Sequence, residues 1–286
     1  MTLATKDALV STEWLEDHMD APDLRVVDAS WYLPTESRNG LSEYRQAHIP
    51  GAVFFDVDDI CDTESDFPHM MPTAQKFAAR VRRLGLGDGN RIIAYDSGSG
   101  LAAPRLWWMF RAFGHREISV LDGGFAKWRA EDRPVEDLPA MPRERHFTAR
   151  LNTTVVRDIG QMRENIETRA EQILDARSEG RFTGKAAEPR AGLRGGHMPG
   201  SLNLPFNRLM NPDDGAFLRG DALRQAFEAA GVDLDRPIVT TCGSGVTAAV
   251  LSLGLHLLGH TRNALYDGSW SEWAAHEDTP VETGAG

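Results

Sequence analysis

The segment RPIVTTCGSGVTAAVLSLGLHLLGH, residues 236–260, places one cysteine between two different periodicities. PIVTT is the β-branched apolar run of a buried strand, and VTAAVLSLGLHLLG is a helical pattern closed by Gly259. Cys242 falls where the strand ends, followed by Gly243, Ser244 and Gly245. The same order occurs earlier in the chain. RIIAYDSGSGLAAPRLWWMFRAFGH, residues 91–115, aligns with it so that Asp96 falls on Cys242 and His115 on His260.

Three further pairs keep nearly this spacing. HIPGAV (48–53) matches HMPGSL (197–202), VVDAS (26–30) matches ILDAR (173–177), and LDGGFAKW (121–128) matches YDGSWSEW (266–273). A repeat of about 146 residues is far longer than a solenoid or propeller unit, so each copy is a domain. The chain is expected to hold domains over 1–142 and 153–286, joined by the polar, proline-bearing stretch PAMPRERHFTARLN (139–152). Within each copy, short apolar runs alternate with helical patterns, which predicts an α/β fold with a mostly parallel sheet flanked by helices.

Composition narrows the functional classes. The net charge of −11 argues against a nucleic-acid partner, which needs a basic field. The start MTLATKDALV lacks the basic-then-apolar order of a signal peptide, and no later run is long and apolar enough for a membrane span. A cytoplasmic protein is expected. Two cysteines, Cys61 and Cys242, make no disulfide framework, so reduced thiols are the default.

In a parallel sheet, ligands bind beyond the carboxyl ends of the strands. Cys242 occupies such an end, and the glycines after it let several amides converge on one point at a helix N-terminus. Those amides, from Gly243, Ser244, Gly245, Val246 and Thr247 onward, favour a thiolate and a bound anion. The first copy has Asp96 at the equivalent position, which predicts one active and one catalytically inactive domain.

Taken together, CGSGVTA, HIPGA, APRLWWMFRAFGH, LDGG, GRFTG and HMPGS resemble the two-domain rhodanese family, with the loop similar to that of its 3-mercaptopyruvate sulfurtransferase branch. The resemblance implies tandem rhodanese-like domains and a sulfur carried as a persulfide on Cys242. It implies release of pyruvate from 3-mercaptopyruvate and delivery of sulfur to cyanide, a small thiol or a dithiol such as thioredoxin, with neither metal nor organic cofactor. The thiosulfate-using branch places basic residues directly after the cysteine, where this chain has glycine and serine. Thiosulfate sulfurtransferase and a non-catalytic persulfide carrier are the competing readings.

The stretch GRFTGKAAEPRAGLRGGHMPG reverses the acidic balance of the chain locally. Its Arg181 and Arg190 match the family positions that grip the donor's carboxylate and ketone, while Lys185 and Arg194 are assigned to solvent or structure. Ser244 is expected to hydrogen-bond the donor's thiol, assisted by His69 and Asp59 of DVDDICDTESDFPHMMP, with Asp58 the alternative aspartate. Thr247 is expected to cap the loop or helix, and Cys61 to fill core.

Three other patterns are weaker. A loop phosphatase needs an arginine six residues after the cysteine, where this chain has Ala248. Gly98, Gly100 and Ala103, like Gly243, Gly245 and Ala248, partly imitate a dinucleotide fingerprint. His256 and His260 have metal-compatible spacing without the glutamate that usually lies between such a pair.

Overall fold

The computed structural model describes residues 8–33, 35–97 and 102–285. The chain forms two compact units, the first comprising 1–62, 71–152 and 211–217, the second 63–70, 153–210 and 218–286. Gly98 and Gly100 lie outside the described residues.

The first unit is built on strands β1 (Leu9–Val10), β2 (Leu24–Asp28), β3 (Val53–Phe54), β4 (Arg91–Tyr95) and β5 (Ile118–Leu121). They pair in the order β1-β5-β4-β2-β3, every pairing parallel. The second unit repeats this order with β6 (Val156–Arg157), β7 (Gln172–Asp175), β8 (Leu202–Asn203), β9 (Ile238–Thr241) and β10 (Asn263–Tyr266), paired β6-β10-β9-β7-β8. Again every pairing is parallel. The repeat read from the sequence is thus a repeat of topology. The order differs from that of a doubly wound dinucleotide-binding sheet, 3-2-1-4-5-6.

Covering both faces of a parallel sheet requires strands without a polar side. β9 obeys this rule, with all four residues buried. Thr240 turns its hydroxyl to Ser252 at 2.9 Å, so its one polar atom is satisfied inside the core. The helix after the cysteine loop, Ala248–Leu257, is buried from Ala248 through Leu255, as is most of its counterpart Ala103–Ala112. Trp107 and Trp108 belong to that buried helix, each under an arginine, Arg111 and Arg105 respectively. In the second unit Met162, Ile173, Val239, Tyr266, Trp270 and Trp273 form one apolar cluster, so the ring of Trp270 anchors the segment that lies against the cysteine loop.

Residues 143–152, read from the sequence as linker, pack as part of the first unit. Phe147 is buried against Phe77 and Phe110, Thr148 hydrogen-bonds Asp88, and the amides of Arg150 and Asn152 bond the carbonyls of Phe113 and Ala112. The polar composition of this stretch conceals the single aromatic that fastens it.

The two sheets differ at matching aspartates. Asp175, at the end of β7, is bound by the arginine two residues later. Asp28, at the end of β2, has Ser30 there, and one of its carboxylate oxygens is buried without a partner among the described residues. Burial, the dominant cause, pushes the Asp28 carboxyl up to about 6, with the nearby charge of Asp96 adding to the effect. A raised acid binds more protons folded than unfolded, so Asp28's contribution to stability is fully present below the usual carboxylate range and is lost as pH rises through about 6. Asp28→Asn removes that loss. Melting curves of variant and wild type should show the variant's relative Tm higher at pH 8 than at pH 5, by about 3 °C. A difference independent of pH would show that Asp28 is not the titrating group.

Candidate active site

Cys242 directly follows β9, the central strand of the second sheet, and is buried. The turn after β10 fixes its backbone. The Cys242 amide donates to Ser269 Oγ at 3.2 Å, and the Cys242 carbonyl accepts from the Trp270 amide at 2.9 Å. One residue on, the Gly243 carbonyl accepts twice from Ser271, from its amide at 2.9 Å and from its hydroxyl at 2.6 Å. Both carbonyls at the start of the loop are therefore committed to this turn. Gly245 has φ +77°, a left-handed conformation that glycine adopts without strain.

Ser269 also has a positive φ, +51°, and is fully buried. For a residue with a Cβ this costs about 1–2 kcal/mol. Its hydroxyl offsets the cost by accepting from Cys242 and donating to the Tyr266 carbonyl at 2.8 Å. In the first unit the corresponding residue is Gly124, φ +58°, and the Phe125 amide bonds the Asp96 carbonyl at 3.0 Å. The two units thus share one backbone design. The serine is added where the cysteine is.

Ser244 is buried, its hydroxyl 2.8 Å from His69 Nδ1. His69 is itself buried, with φ +61°, and lies in segment 63–70, which is part of the second unit. The expected pairing of Ser244 with His69 is therefore present as a hydrogen bond. Asp59 and Asp58 lie in the first unit. Asp59, about half-exposed, takes its charge partner from Arg80 at 2.8 Å, while Asp58 accepts from the Trp31 indole. Cys61 is buried in the first unit with its thiol on the Asp58 carbonyl.

Arg181 lies against the cysteine loop. A Cβ added to Gly243 would come within 2.8 Å of Arg181 Nη2, so glycine is what lets the guanidinium approach. Arg181 donates to Glu188 through Nε at 3.2 Å and Nη2 at 2.6 Å. The other Glu188 oxygen accepts from Arg177 at 2.8 Å, and Arg177 in turn grips Asp175, donates to the Gly196 carbonyl and stacks on Trp270. Against the opposing effect of burial, Asp175 and Glu188 hold the Arg177 guanidinium above its ordinary range.

Arg190 is half-buried on the same segment, and Lys185 is exposed. Arg194 is structural, donating to the carbonyls of Trp273, Ala274, His276 and Thr279. Val246 is buried in the loop. Thr247 occupies the N-cap position of helix Ala248–Leu257, but its side chain makes no capping hydrogen bond, because its own backbone is already helical (φ −75°, ψ −18°). The capping role expected of it is therefore not realised. Among the described residues no group of three metal-ligating side chains occurs, and His260 turns Nε2 to the Arg236 carbonyl at 3.0 Å.

Sequence reading missed Ser269, Ser271, Arg177 and Glu188 as members of this site. The signal was available in the repeat, where Gly124 stands against Ser269 and Ser30 against Arg177. Removing the Ser269 hydroxyl while keeping the Cβ should expose the backbone strain. We expect Ser269→Ala to be less stable than Ser269→Gly by about 1 kcal/mol in urea titrations, the reverse of the usual order. An alanine variant as stable as the glycine variant would mean that φ here costs nothing.

Comparison with known proteins gives a consistent picture. A model of the Rhodanese-like domain matches residues 11–131 and 158–276. The human protein named 3-mercaptopyruvate sulfurtransferase is 42% identical over 93% of this chain and 91% of its own length. The bovine protein named thiosulfate sulfurtransferase is also 42% identical, over 98% of this chain and 96% of its own. Among solved structures, that of the 3-mercaptopyruvate sulfotransferase SseA from Escherichia coli superposes with a TM-score of 0.85. It is 39% identical and covers 92% of this chain and 98% of that one.

Proposed function

The chain belongs to the rhodanese family, and from that premise we propose that it is a 3-mercaptopyruvate sulfurtransferase whose second domain carries the sulfur on Cys242. One observation carries this reading. Asp96, the counterpart of Cys242, turns its carboxylate onto the amides of Ala102 and Ala103 at 3.2 and 2.9 Å, at the start of a buried helix. The strand–loop–helix design thus accommodates an anion in one copy and offers a thiol in the other.

In the reaction, the Cys242 thiolate attacks the sulfur of 3-mercaptopyruvate. The S–S bond forms as the donor's C–S bond breaks, and the electron pair passes to carbon as the enolate of pyruvate. The donor's thiol proton passes to the enolate carbon, so pyruvate leaves and the persulfide remains as its anion. Backbone donors around the loop stabilise the negative charge that moves between sulfur and carbon. Ser244 holds the donor's thiol, and its hydrogen bond to His69 supports the pair as the route for the proton. Arg181 and Arg190 hold the carboxylate and ketone, Arg181 from beside Gly243.

An acceptor thiol then attacks the outer sulfur and leaves with it, restoring the Cys242 thiolate. A family of this chemistry acts on a sulfur donor and a thiol acceptor, and thioredoxin or a small thiol fits as the acceptor. No described helix is long and apolar enough to cross a membrane, and a cytoplasmic location fits the reduced thiols this chemistry needs.

Thiosulfate enters as a rival donor because related proteins bear its name. The four residues after Cys242 are Gly243, Ser244, Gly245 and Val246, none of them charged. A compact dianion receives little there, whereas a donor with its carboxylate farther from the sulfur reaches Arg181. Side by side, kcat/KM for 3-mercaptopyruvate should exceed that for thiosulfate by at least about tenfold, and Cys242→Ser should lose both activities. Comparable values would make the protein a general thiosulfate sulfurtransferase. Pyruvate release by the serine variant would place the nucleophile elsewhere.

A further inference from the structure

Four charged side chains lead from the sheet to the cysteine loop: Asp175, Arg177, Glu188 and Arg181. The first three are buried, with Arg177 and Asp175 at 0% and 1% side-chain exposure and Glu188 at 2%. Arg181 alone reaches partly into solvent, at 17%. Glu188 is the hinge of the series, with one oxygen on Arg177 and the other on Arg181. It engages Nε and Nη2 of Arg181, which fixes the plane of that guanidinium. Nη1 makes no hydrogen bond among the described residues, and it is the edge left for a ligand.

Burying so many charges is costly, and a series of this kind is weak evidence for a stabilising role. The duplicated unit provides an internal control. Its counterpart of Arg177 is Ser30, whose hydroxyl accepts from the Ser97 amide, and Asp28 lies there without an arginine. That unit nevertheless forms the same five-stranded order. The fold does not require the ion pairs, and they occur in the copy that holds the cysteine.

We infer that Glu188 is a positioning and donor-selecting residue: it orients Arg181 beside Gly243 and cancels its charge, so that Arg181 recognises one carboxylate by geometry and adds no net positive charge for a compact dianion. Two carboxylates and two guanidiniums sum to zero. With the excess charge gone, what Arg181 offers is a directional pair of N–H donors, which suits a planar carboxylate. Removing the negative charge of Glu188 leaves a net cation next to the nucleophile. That favours thiosulfate, while the freed guanidinium loses the orientation that 3-mercaptopyruvate needs.

The inference rests on Arg181 as the contact for the donor's carboxylate, so the test includes that residue. Wild type, Glu188→Gln, Glu188→Asp and Arg181→Met are compared for kcat and KM with 3-mercaptopyruvate and with thiosulfate, cyanide being the common acceptor, and thermal melts report folding. In Glu188→Gln the thiosulfate-to-mercaptopyruvate ratio of kcat/KM should rise by about tenfold or more. Glu188→Asp keeps the charge but withdraws it by one methylene. Its ratio should stay within about threefold of wild type while KM for 3-mercaptopyruvate rises. Arg181→Met should lower the mercaptopyruvate value more than the thiosulfate value.

A selective Arg181→Met effect together with an unchanged ratio in Glu188→Gln would reduce Glu188 to a structural residue. Equal losses for both donors in Arg181→Met would instead remove the carboxylate contact, and the inference with it. Should the glutamine variant fail to fold, an unchanged KM in Glu188→Asp overturns the proposal.

Discussion

The carbonyls of Cys242 and Gly243 both turn into the segment that follows β10, and the chemistry of the loop depends on that capture. A carbonyl facing the sulfur would repel a thiolate or a persulfide. Three hydrogen bonds from Trp270 and Ser271 hold both carbonyls elsewhere, and Ser269 accepts from the Cys242 amide. Trp270 ties this arrangement to the core, because its ring lies in the apolar cluster and its indole donates to the Arg194 carbonyl. The same ring lies under Arg177 at 4.3 Å. One aromatic residue thereby fixes both the backbone below the thiol and the charges beside it.

Duplication makes the roles of these residues separable. Strand order, the bond from the turn to the loop carbonyl and a left-handed residue in that turn occur in both units, so they belong to the fold. Ser269, Ser271, Arg177 and Cys242 stand against Gly124, Ala126, Ser30 and Asp96, so they belong to the chemistry. Asp96 fills with its own carboxylate the place where the second unit presents a thiol. A carboxylate can accept hydrogen bonds there but cannot carry a second sulfur.

Much of this was legible in the sequence because it is encoded locally. The buried strand PIVTT, the glycines after Cys242 and the repeat each follow from short stretches, and they were sufficient for the sheet and for the location of the thiol. Ser244 and His69 also stand out in the sequence, although a separation of 175 positions hides their 2.8 Å contact. What the sequence concealed depends on tertiary geometry. Glu188 reads as a lone acid in a basic loop until its two oxygens are seen on different arginines. Thr247 reads as a cap, yet its helical backbone turns the hydroxyl away from that task. Phe147 shows the same limit, being the buried aromatic that packs a largely polar stretch onto the first unit.

The central claim is that a sulfur atom rides on Cys242, and peptide mass spectrometry of donor-treated protein addresses it directly. The chain has one other cysteine, Cys61, which provides an internal reference in the same digest. Under conditions that preserve labile sulfur, treatment with 3-mercaptopyruvate should add about 32 Da to the peptide containing Cys242 and leave the Cys61 peptide unchanged. Added mass on the Cys61 peptide alone, or on neither, would contradict the account.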